Sequence, residues 1–406
     1  MMIFGGAFGY HEKTTFPGLA ALLPCAGAFL ILASASGQTL TSRLLSWRPL
    51  VFVGLISYSL YLWHWPLLAF ARYWAVAPLP WHLRGLLMAA ALGLAVLSWR
   101  YVETPLRQRR ALRSRRALFT AAGAVTSLLL MAGLAVEWTG GMRSRLPKEI
   151  LQFADGSLDH RDYPMVTPEA AERGDFIPLG LVSSAVPITL MVWGDSHAWA
   201  VMPALDELCQ KHGRRAVAAV YPATFPALGY VSTNPHSLRE RSPAFHEAVR
   251  RFIISQKVTD VLLVATWNGH FDEGNPEQAQ QALIKTVRSL KAEGVRVWLM
   301  KSVPTYTQTN SIPKALARAV MMGEEPGLVG KTLADHETAS RTQTALFAEL
   351  AAEGAGILDP MPRLSTPEKR CRVSVDGHSL YRDHHHLTVF GAGYLAPIFA
   401  PIFESR

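Results

Sequence analysis

Three residues with the chemistry of a nucleophile, a base and an orienting acid stand far apart in the C-terminal half of the chain. Ser196 lies within the segment Trp-Gly-Asp-Ser-His (193–197), and Asp383 and His386 stand three residues apart near the C-terminus. A serine hydroxyl is a poor nucleophile near neutral pH, so it needs an imidazole base whose tautomer a carboxylate fixes. Asp-x-x-His supplies both groups from one helical turn or tight loop. This pattern predicts acyl transfer or ester hydrolysis through Ser196.

The same residues also have simpler interpretations. Asp195 or Ser196 can serve only to cap a following helix, and the C-terminal segment can be a loop without chemistry. The run His384, His385 and His386 also offers three imidazoles to a metal ion. Consecutive residues rarely aim three rings at one tetrahedral centre, and no second histidine cluster is evident in the sequence. We therefore expect no metal site.

Short apolar runs alternate with helical periodicity from residue 186 onward. The predicted strands are Ile188–Trp193, Arg215–Tyr221, Asp260–Thr266, Val295–Met300 and Ala355–Leu358. The predicted helices are Ala198–His212, Ser242–Gln256, Pro276–Glu293 and Leu333–Glu353. This alternation is typical of parallel βαβ units in a three-layer α/β/α sheet, whose chemistry sits at the carboxyl ends of the strands. Ser196 falls at such an end, where a helix N-terminus offers N–H groups to a developing oxyanion.

The first 139 residues have a different composition from the rest. Four apolar runs reach or approach the length needed to cross a bilayer: Phe16–Ser36, Leu50–Tyr73, Leu79–Trp99 and Ala117–Trp138. Residues 1–139 hold 12 basic and 3 acidic residues and so carry the whole net charge of +9. Because this excess lies in an apolar region, it indicates membrane topology and argues against nucleic-acid binding.

Charge also predicts the orientation of the membrane part. Six arginines stand between positions 107 and 116, which marks a cytoplasmic loop by the positive-inside rule. The last span then runs outward, so we expect the residues after Trp138 to lie in the periplasm or outside the cell. Residues 140–184 are polar and rich in turn residues, so we expect an extracytoplasmic linker there. Cys209 and Cys371 both lie in the exported half and can pair there, although sequence alone does not decide it.

Three segments resemble the late spans of the membrane acyltransferase-3 family. They are Thr-Phe-Pro-Gly with Ala-Ala-Leu-Leu-Pro (15–24), Gly-Leu-Ile-Ser-Tyr-Ser-Leu-Tyr-Leu-Trp-His-Trp-Pro (54–66) and Arg-Tyr-Val-Glu-Thr-Pro-Leu-Arg (100–107). The resemblance implies transfer of acyl groups from a cytoplasmic donor such as acetyl-CoA to extracytoplasmic sugars. The catalytic histidine and donor-binding arginine motif of that family belong to early spans without a counterpart here. Met1–Gly9 looks like the end of an earlier helix, so we expect an N-terminally incomplete domain. Either a separately encoded portion supplies the early spans, or the gene is truncated.

The two C-terminal motifs resemble the SGNH, or GDSL-like, hydrolase superfamily. The match implies Ser196 as nucleophile, His386 as base and Asp383 as the residue that orients it. It also implies an oxyanion hole formed by the Ser196 N–H, a glycine after the second strand and an asparagine after the third. Gly229 and Asn268 are the candidates, and Asn268 is equally typical of a simple Asn-Gly turn. No cofactor is expected in this domain.

The two resemblances together divide the chain into four parts. These are late acyltransferase-3-like spans (1–110), a basic loop with a linking span (111–139), the linker (140–184) and an SGNH-like domain (185–406). This arrangement resembles that of O-acetyltransferases of surface polysaccharide or peptidoglycan. The sequence thus predicts a multi-pass protein of the bacterial inner membrane whose periplasmic domain acylates an envelope glycan. A carbohydrate esterase and a non-catalytic glycan-binding subunit of a split acyltransferase remain alternatives.

Overall fold

The chain divides after Trp138 into two units, Met1–Trp138 and Thr139–Arg406. The computed structural model describes residues 18–33, 39–75, 79–108, 112–272, 275–307 and 309–404, together with the single residues 5, 9, 10, 14 and 110. The predicted helix end at Met1–Gly9 falls almost entirely outside these residues. Each unit is built differently, as the difference in their compositions predicts.

The first unit is helical. Its helices are α1 (Leu22–Ala33), α2 (Leu40–Leu45), α3 (Arg48–Trp74), α4 (Trp81–Ser98), α5 (Thr104–Arg107) and α6 (Arg115–Trp138). A π-helical turn joins α4 to α5, so Trp81–Arg107 is one continuous helix.

Among the described residues of this unit, three helices have the length and composition to cross a membrane: Arg48–Trp74, Trp81–Arg107 and Arg115–Trp138. They correspond to the second, third and fourth predicted spans. Their apolar side chains remain largely exposed, as with Phe119 at 71% and Leu129 at 67%, which is typical of a surface that faces lipid. The described part of the first predicted span is a shorter apolar helix over Leu19–Ala33, and the predicted ends of that span lie outside the described residues.

The second unit contains a six-stranded sheet with the order β1-β3-β2-β4-β5-β6. Its strands are β1 (Ile177–Gly180), β2 (Ile188–Gly194), β3 (Arg215–Val220), β4 (Asp260–Val264), β5 (Arg296–Met300) and β6 (Gly356–Leu358). Strands β2 to β6 are parallel, and their apolar runs are buried on both faces, which is why they read as continuous hydrophobic stretches. All five predicted strands are present.

Helices alternate with these strands, as predicted for an α/β domain. They are α7 (Lys148–Asp155), α8 (Pro168–Arg173), α9 (Ser196–Lys211), α10 (Ser242–Ser255), α11 (Trp267–Asp272), α12 (Pro276–Ala292), α13 (Ile312–Met321), α14 (Leu333–Ala339), α15 (Arg341–Ala352), α16 (Met361–Leu364), α17 (Val389–Leu395) and α18 (Ala400–Glu404). A hairpin of β7 (Ser374–Val375) and β8 (His378–Ser379) follows β6. The predicted single helix Leu333–Glu353 is two helices that meet at Ser340.

Residues 140–184, which the sequence suggested as a linker, instead fold into the second unit. Ile150, Phe153 and Leu179 belong to its hydrophobic core, and β1 pairs antiparallel with β3. Pro178 stands within β1, and proline is tolerated there because an edge strand has only one neighbour. The prolines and glycines that suggested a tether therefore separate short structured elements of the second unit.

The two cysteines of the second unit do not pair. Cys209 and Cys371 are both buried free thiols. Burial raises the pKa of Cys209 to about 12 and that of Cys371 to about 11, so both behave as small apolar side chains.

Strands β2 and β4 are neighbours, and their carboxyl ends meet at Gly194 and Val264. A Cβ atom on Gly194 would lie 1.8 Å from the Val264 carbonyl oxygen and 2.9 Å from the Ala198 Cβ. Only glycine permits this close approach of backbone to backbone. Gly194 thus fixes the turn that leads from β2 into α9.

Candidate active site

Ser196 is the first residue of α9 and follows directly after the turn at the end of β2. Asp195 caps the helix, because its Oδ1 accepts a hydrogen bond from the His197 N–H at 2.8 Å. The capping interpretation is therefore right for Asp195. It does not account for Ser196, whose half-buried hydroxyl faces away from the cap and toward the C-terminal loop.

The C-terminal motif forms a tight loop. The loop is closed by a bridge between Tyr381 and Leu387 and by a 2.9 Å hydrogen bond from the Arg382 N–H to the His386 carbonyl oxygen. Within it, Asp383 Oδ1 accepts the backbone N–H groups of residues 385 and 386 at 2.9 and 2.8 Å. The aspartate thus folds the loop and also fixes the position of the histidine.

The fold brings the three predicted side chains together across 190 residues of sequence. His386 Nε2 lies 2.8 Å from Ser196 Oγ, and His386 Nδ1 lies 2.7 Å from Asp383 Oδ2. In this arrangement Nδ1–H donates to the carboxylate, which leaves Nε2 free to accept the serine proton. The geometry is that of a nucleophile, a base and an orienting carboxylate.

The environment keeps Asp383 ionised. Its burial alone would raise the pKa of the carboxyl group. The hydrogen bond from the His386 ring, the charge on that ring when protonated, and the two backbone N–H donors outweigh burial and hold the pKa of Asp383 far below its usual range. A permanent negative charge at this position stabilises an imidazolium on His386.

Asp195, which is buried, forms a second hydrogen-bond network that holds the turn before Ser196. Asp195 Oδ2 accepts hydrogen bonds from the Thr266 N–H at 3.0 Å and from His270 Nε2 at 2.9 Å. Burial raises the pKa of Asp195, but the His270 hydrogen bond, nearby imidazoles and the Thr266 N–H hold it at about 2. Sequence reasoning missed His270, although a fully buried aspartate next to the nucleophile requires partners of this kind.

The two predicted side contributors to the oxyanion hole follow the ends of β3 and β4. Asn268 lies in α11 and donates from Nδ2 to Ser340 Oγ at 3.0 Å. Gly229 lies in the loop after β3 with φ of +74°. No hydrogen bond among the residues that the structure describes joins either of them to Ser196. The Ser196 N–H remains available, because the first N–H groups of a helix have no acceptor within it.

Ser196 opens onto a cleft with about 500 Å³ of empty volume. Trp199, one helical turn beyond Ser196, lines this cleft with Tyr163, Arg161 and Arg382. The Trp199 Nε1 and the Tyr163 hydroxyl are buried and have no hydrogen-bond partner within the described protein. Aromatic faces with polar tips in a concave site are suited to bind a ligand that has both apolar faces and hydroxyl groups.

Histidines from two elements cluster beside the nucleophile. The ring of His197 lies 5.1 Å from those of His385 and His386, measured between centroids, and His385 lies 3.8 Å from His386. One nitrogen from each of these three residues lies within 4.8 Å of the others, and Asp383, His384 and His385 form a second such group. The sequence analysis considered only the histidines at 384–386 and did not include His197. The position of His197 next to Ser196 could have indicated that it lies near the site.

Comparison with known proteins matches the second unit to one family. A model described as the SGNH domain fused to AT3 domains matches residues 169–401. The AT3 domain itself is not detected in the chain.

Curated relatives match a shorter region. O-acetyltransferase OatA of Staphylococcus aureus (strain NCTC 8325 / PS 47) is 29% identical over 102 residues, which cover 25% of this chain and 17% of OatA. The putative peptidoglycan O-acetyltransferase YrhL of Bacillus subtilis (strain 168) is 30% identical over 99 residues, which cover 24% of this chain and 16% of YrhL. The match thus spans about a sixth of the length of these relatives.

Among solved structures, the periplasmic domain of the lipopolysaccharide acetyltransferase from Salmonella ser. Paratyphi A aligns with the chain at a TM-score of 0.47 and 18% identity. The alignment covers 62% of this chain and 92% of that domain.

Proposed function

Because the chain belongs to the family of SGNH domains fused to AT3 domains, we propose that it is a membrane-anchored O-acyltransferase of cell-envelope glycans. The observation that carries the proposal is the contact of Ser196 with His386 and of His386 with Asp383. Relatives named as O-acetyltransferases of peptidoglycan support an acetyl group and a polysaccharide or peptidoglycan acceptor.

The first half-reaction loads the acyl group onto the protein. His386 Nε2 removes the proton of the Ser196 hydroxyl as Oγ attacks the carbonyl carbon of the donor. The helix N-terminus at the Ser196 N–H stabilises the oxyanion that forms. His386 then returns the proton to the leaving group, and the acyl group remains as an ester of Ser196.

The second half-reaction transfers the group to a sugar. A glycan hydroxyl in the cleft gives its proton to His386 Nε2 and attacks the ester carbonyl, and the returning proton restores the Ser196 hydroxyl. Trp199 offers a stacking face for the sugar ring, and the unpaired indole N–H can donate to a sugar oxygen. Arg161 and Arg382 line the cleft and form ion pairs with Asp206 and Asp383. Their remaining N–H groups suit an acceptor that carries acidic groups.

The proposal also covers the placement of the chain in the membrane. The three long apolar helices cross the bacterial inner membrane, and the six arginines at 107–116 lie on its cytoplasmic side. The second unit then lies in the periplasm with its acceptor. An acyl donor such as acetyl-CoA supplies the acyl group from the cytoplasm.

Hydrolysis is the second candidate activity. Ser196 lines a cleft, and a water molecule that enters it can take the place of the sugar hydroxyl at the acyl-serine. The balance between transfer and esterase activity then depends on how completely the bound acceptor excludes water.

Covalent labelling tests whether the site is catalytic. The full-length protein in detergent micelles is treated with a fluorescent alkyl phosphonate that reacts with activated serines. The proposal predicts one label per chain on wild type, none on Ser196→Ala, and slow labelling of Asp383→Asn. Absence of labelling on wild type, with retained binding of glycan fragments, would favour the non-catalytic glycan-binding subunit.

A further inference from the structure

We propose that His197, His385 and His386 form an inhibitory site for a transition-metal ion that accepts imidazole ligands, such as Zn²⁺. Occupation of this site takes the base of the candidate triad out of use. The binding of metal rests on the three imidazoles alone, whereas the loss of activity rests on the proposed function.

The geometry is close to what a metal requires. One nitrogen from each residue lies within 4.8 Å of the other two. Zinc binds imidazole nitrogen at about 2.0–2.1 Å in tetrahedral sites, which corresponds to about 3.4 Å between ligand atoms. His385 and His386 lie on a loop, and rotation of their side chains is enough to close the difference.

His197 supplies the independent observation. Its side chain is 4% exposed, yet its Nε2 has no hydrogen-bond partner among the described residues. A buried polar atom left unpaired is destabilising, and the proposed catalytic steps give this nitrogen no role. The His197 ring lies 5.1 Å from the rings of His385 and His386 between centroids, so a metal ion bound by all three residues would give its unpaired nitrogen a partner.

The surroundings also suit a cation. Asp383 Oδ1 lies 3.9 Å from His385 Nε2 and places a negative charge next to the three rings. His385 is partly exposed at 26% of its side chain, which gives an ion a route from solvent. Imidazole is a ligand that zinc, copper and nickel accept, whereas calcium and magnesium prefer oxygen.

Metal binding and catalysis are mutually exclusive at this site. His386 has two ring nitrogens, and both are engaged, one with Ser196 and one with Asp383. A metal ion must displace one of these contacts. Loss of the first removes the base from the nucleophile, and loss of the second removes the carboxylate that orients the base, so either outcome stops acyl transfer.

The test measures binding and activity separately on the full-length protein in detergent micelles. Isothermal titration with chelator-buffered Zn²⁺ is expected to give one site per chain. The rate of 4-nitrophenyl acetate hydrolysis is expected to fall as the free Zn²⁺ concentration rises, with the same midpoint as binding. The rate is expected to recover after EDTA is added. Co²⁺ is expected to give the visible absorption bands of a low-coordinate site with nitrogen ligands.

Three variants locate the site. His197→Gln and His385→Gln are each expected to weaken Zn²⁺ binding at least tenfold and to shift the inhibition midpoint equally, while hydrolysis without metal persists. His384→Gln is the matched comparison, because His384 belongs to the competing group with Asp383 and His385 but not to the proposed group of three. It is expected to bind as wild type does.

The inference would be overturned if Zn²⁺ did not bind stoichiometrically, or if wild type and both variants bound it equally. It would also be overturned if His384→Gln weakened Zn²⁺ binding while His197→Gln did not, or if Zn²⁺ activated hydrolysis. If the protein has no hydrolytic activity at all, the proposed function fails, but stoichiometric binding lost in His197→Gln would still support the metal site.

Discussion

At the scale of single residues, Asp383 performs two tasks with its two oxygens. Oδ1 accepts the backbone N–H groups that close the loop, and Oδ2 accepts the ring N–H of His386. The first task places the histidine, and the second sets its tautomer. Replacement by asparagine preserves size but offers an amide N–H₂ group where an acceptor is needed.

We therefore expect Asp383→Asn to lower kcat for ester hydrolysis about 10³- to 10⁴-fold, because the imidazole turns to the wrong tautomer. KM for a small ester should change little, since the carboxylate does not face the cleft. Steady-state kinetics on 4-nitrophenyl acetate measure both constants. A variant within tenfold of wild-type kcat would show that Asp383 does not orient the base.

At the scale of elements, Asp195 joins the β2–α9 turn to the end of β4. It caps α9 through the His197 N–H and holds the chain after β4 through the Thr266 N–H. His270, on the short helix α11, completes the link. This connection fixes the nucleophile to the central strands, so it acts on stability as well as on the site.

The lowered pKa of Asp195 gives this link a pH dependence. Its folded-state pKa of about 2 lies below the ordinary value of 3.8, so the carboxylate contributes stability above pH 4 and loses it as pH falls from about 4 to 2. The contribution is about 2 kcal/mol. Asp195→Asn should lower the melting temperature at pH 7, and the difference from wild type should shrink as pH falls through this window. A constant difference, measured by thermal unfolding with circular dichroism, would contradict this role.

Gly194 is a second residue that determines how elements pack, because it allows β2 and β4 to approach closely. Gly194→Ala places a methyl group against the Val264 carbonyl, so β2 and β4 must separate where they position Ser196. We expect loss of several kcal/mol of stability and of phosphonate labelling. Gly393→Ala is the control, because a Cβ there meets nothing within 4 Å. Equal melting temperatures for the two variants would contradict the close approach.

The alternating apolar runs predicted all five parallel strands because strands buried on both faces leave a continuous signal. β1 was not predicted, because two of its four residues, Pro178 and Gly180, are typical of turns. Its place in the sheet depends on pairing with β3. The triad was predictable because Ser196 and Asp-x-x-His are local motifs. The hydrogen bonds of His270 with Asp195 and of Asn268 with Ser340 were not predictable, because both join residues from distant elements.

At the scale of the whole molecule, the boundary between the units predicts which fragment folds. Thr139–Arg406 forms one unit, and within it Asp159 accepts the N–H groups of Val389 and Phe390, just beyond the triad loop. A fragment that starts at residue 185 loses this contact together with β1 and its core residues.

We expect a fragment of residues 139–406 to melt cooperatively and to react with the phosphonate as the full chain does. A fragment of residues 185–406 should be unstable and unreactive, because the edge of β3 and the base of the triad loop become exposed. Near-ultraviolet circular dichroism and labelling compare the two. Equal behaviour of both fragments would show that residues 140–184 are a dispensable linker after all.

The most direct test of the account follows the acyl group itself. The full-length protein is incubated with 4-nitrophenyl acetate, quenched in acid and analysed by peptide mass spectrometry, with or without a chase by peptidoglycan fragments. We expect one acetyl group on Ser196, which is lost during the chase and is recovered on a sugar hydroxyl. Acetyl transfer to the glycan by Ser196→Ala, or a stable acetyl group on another residue alone, would contradict it.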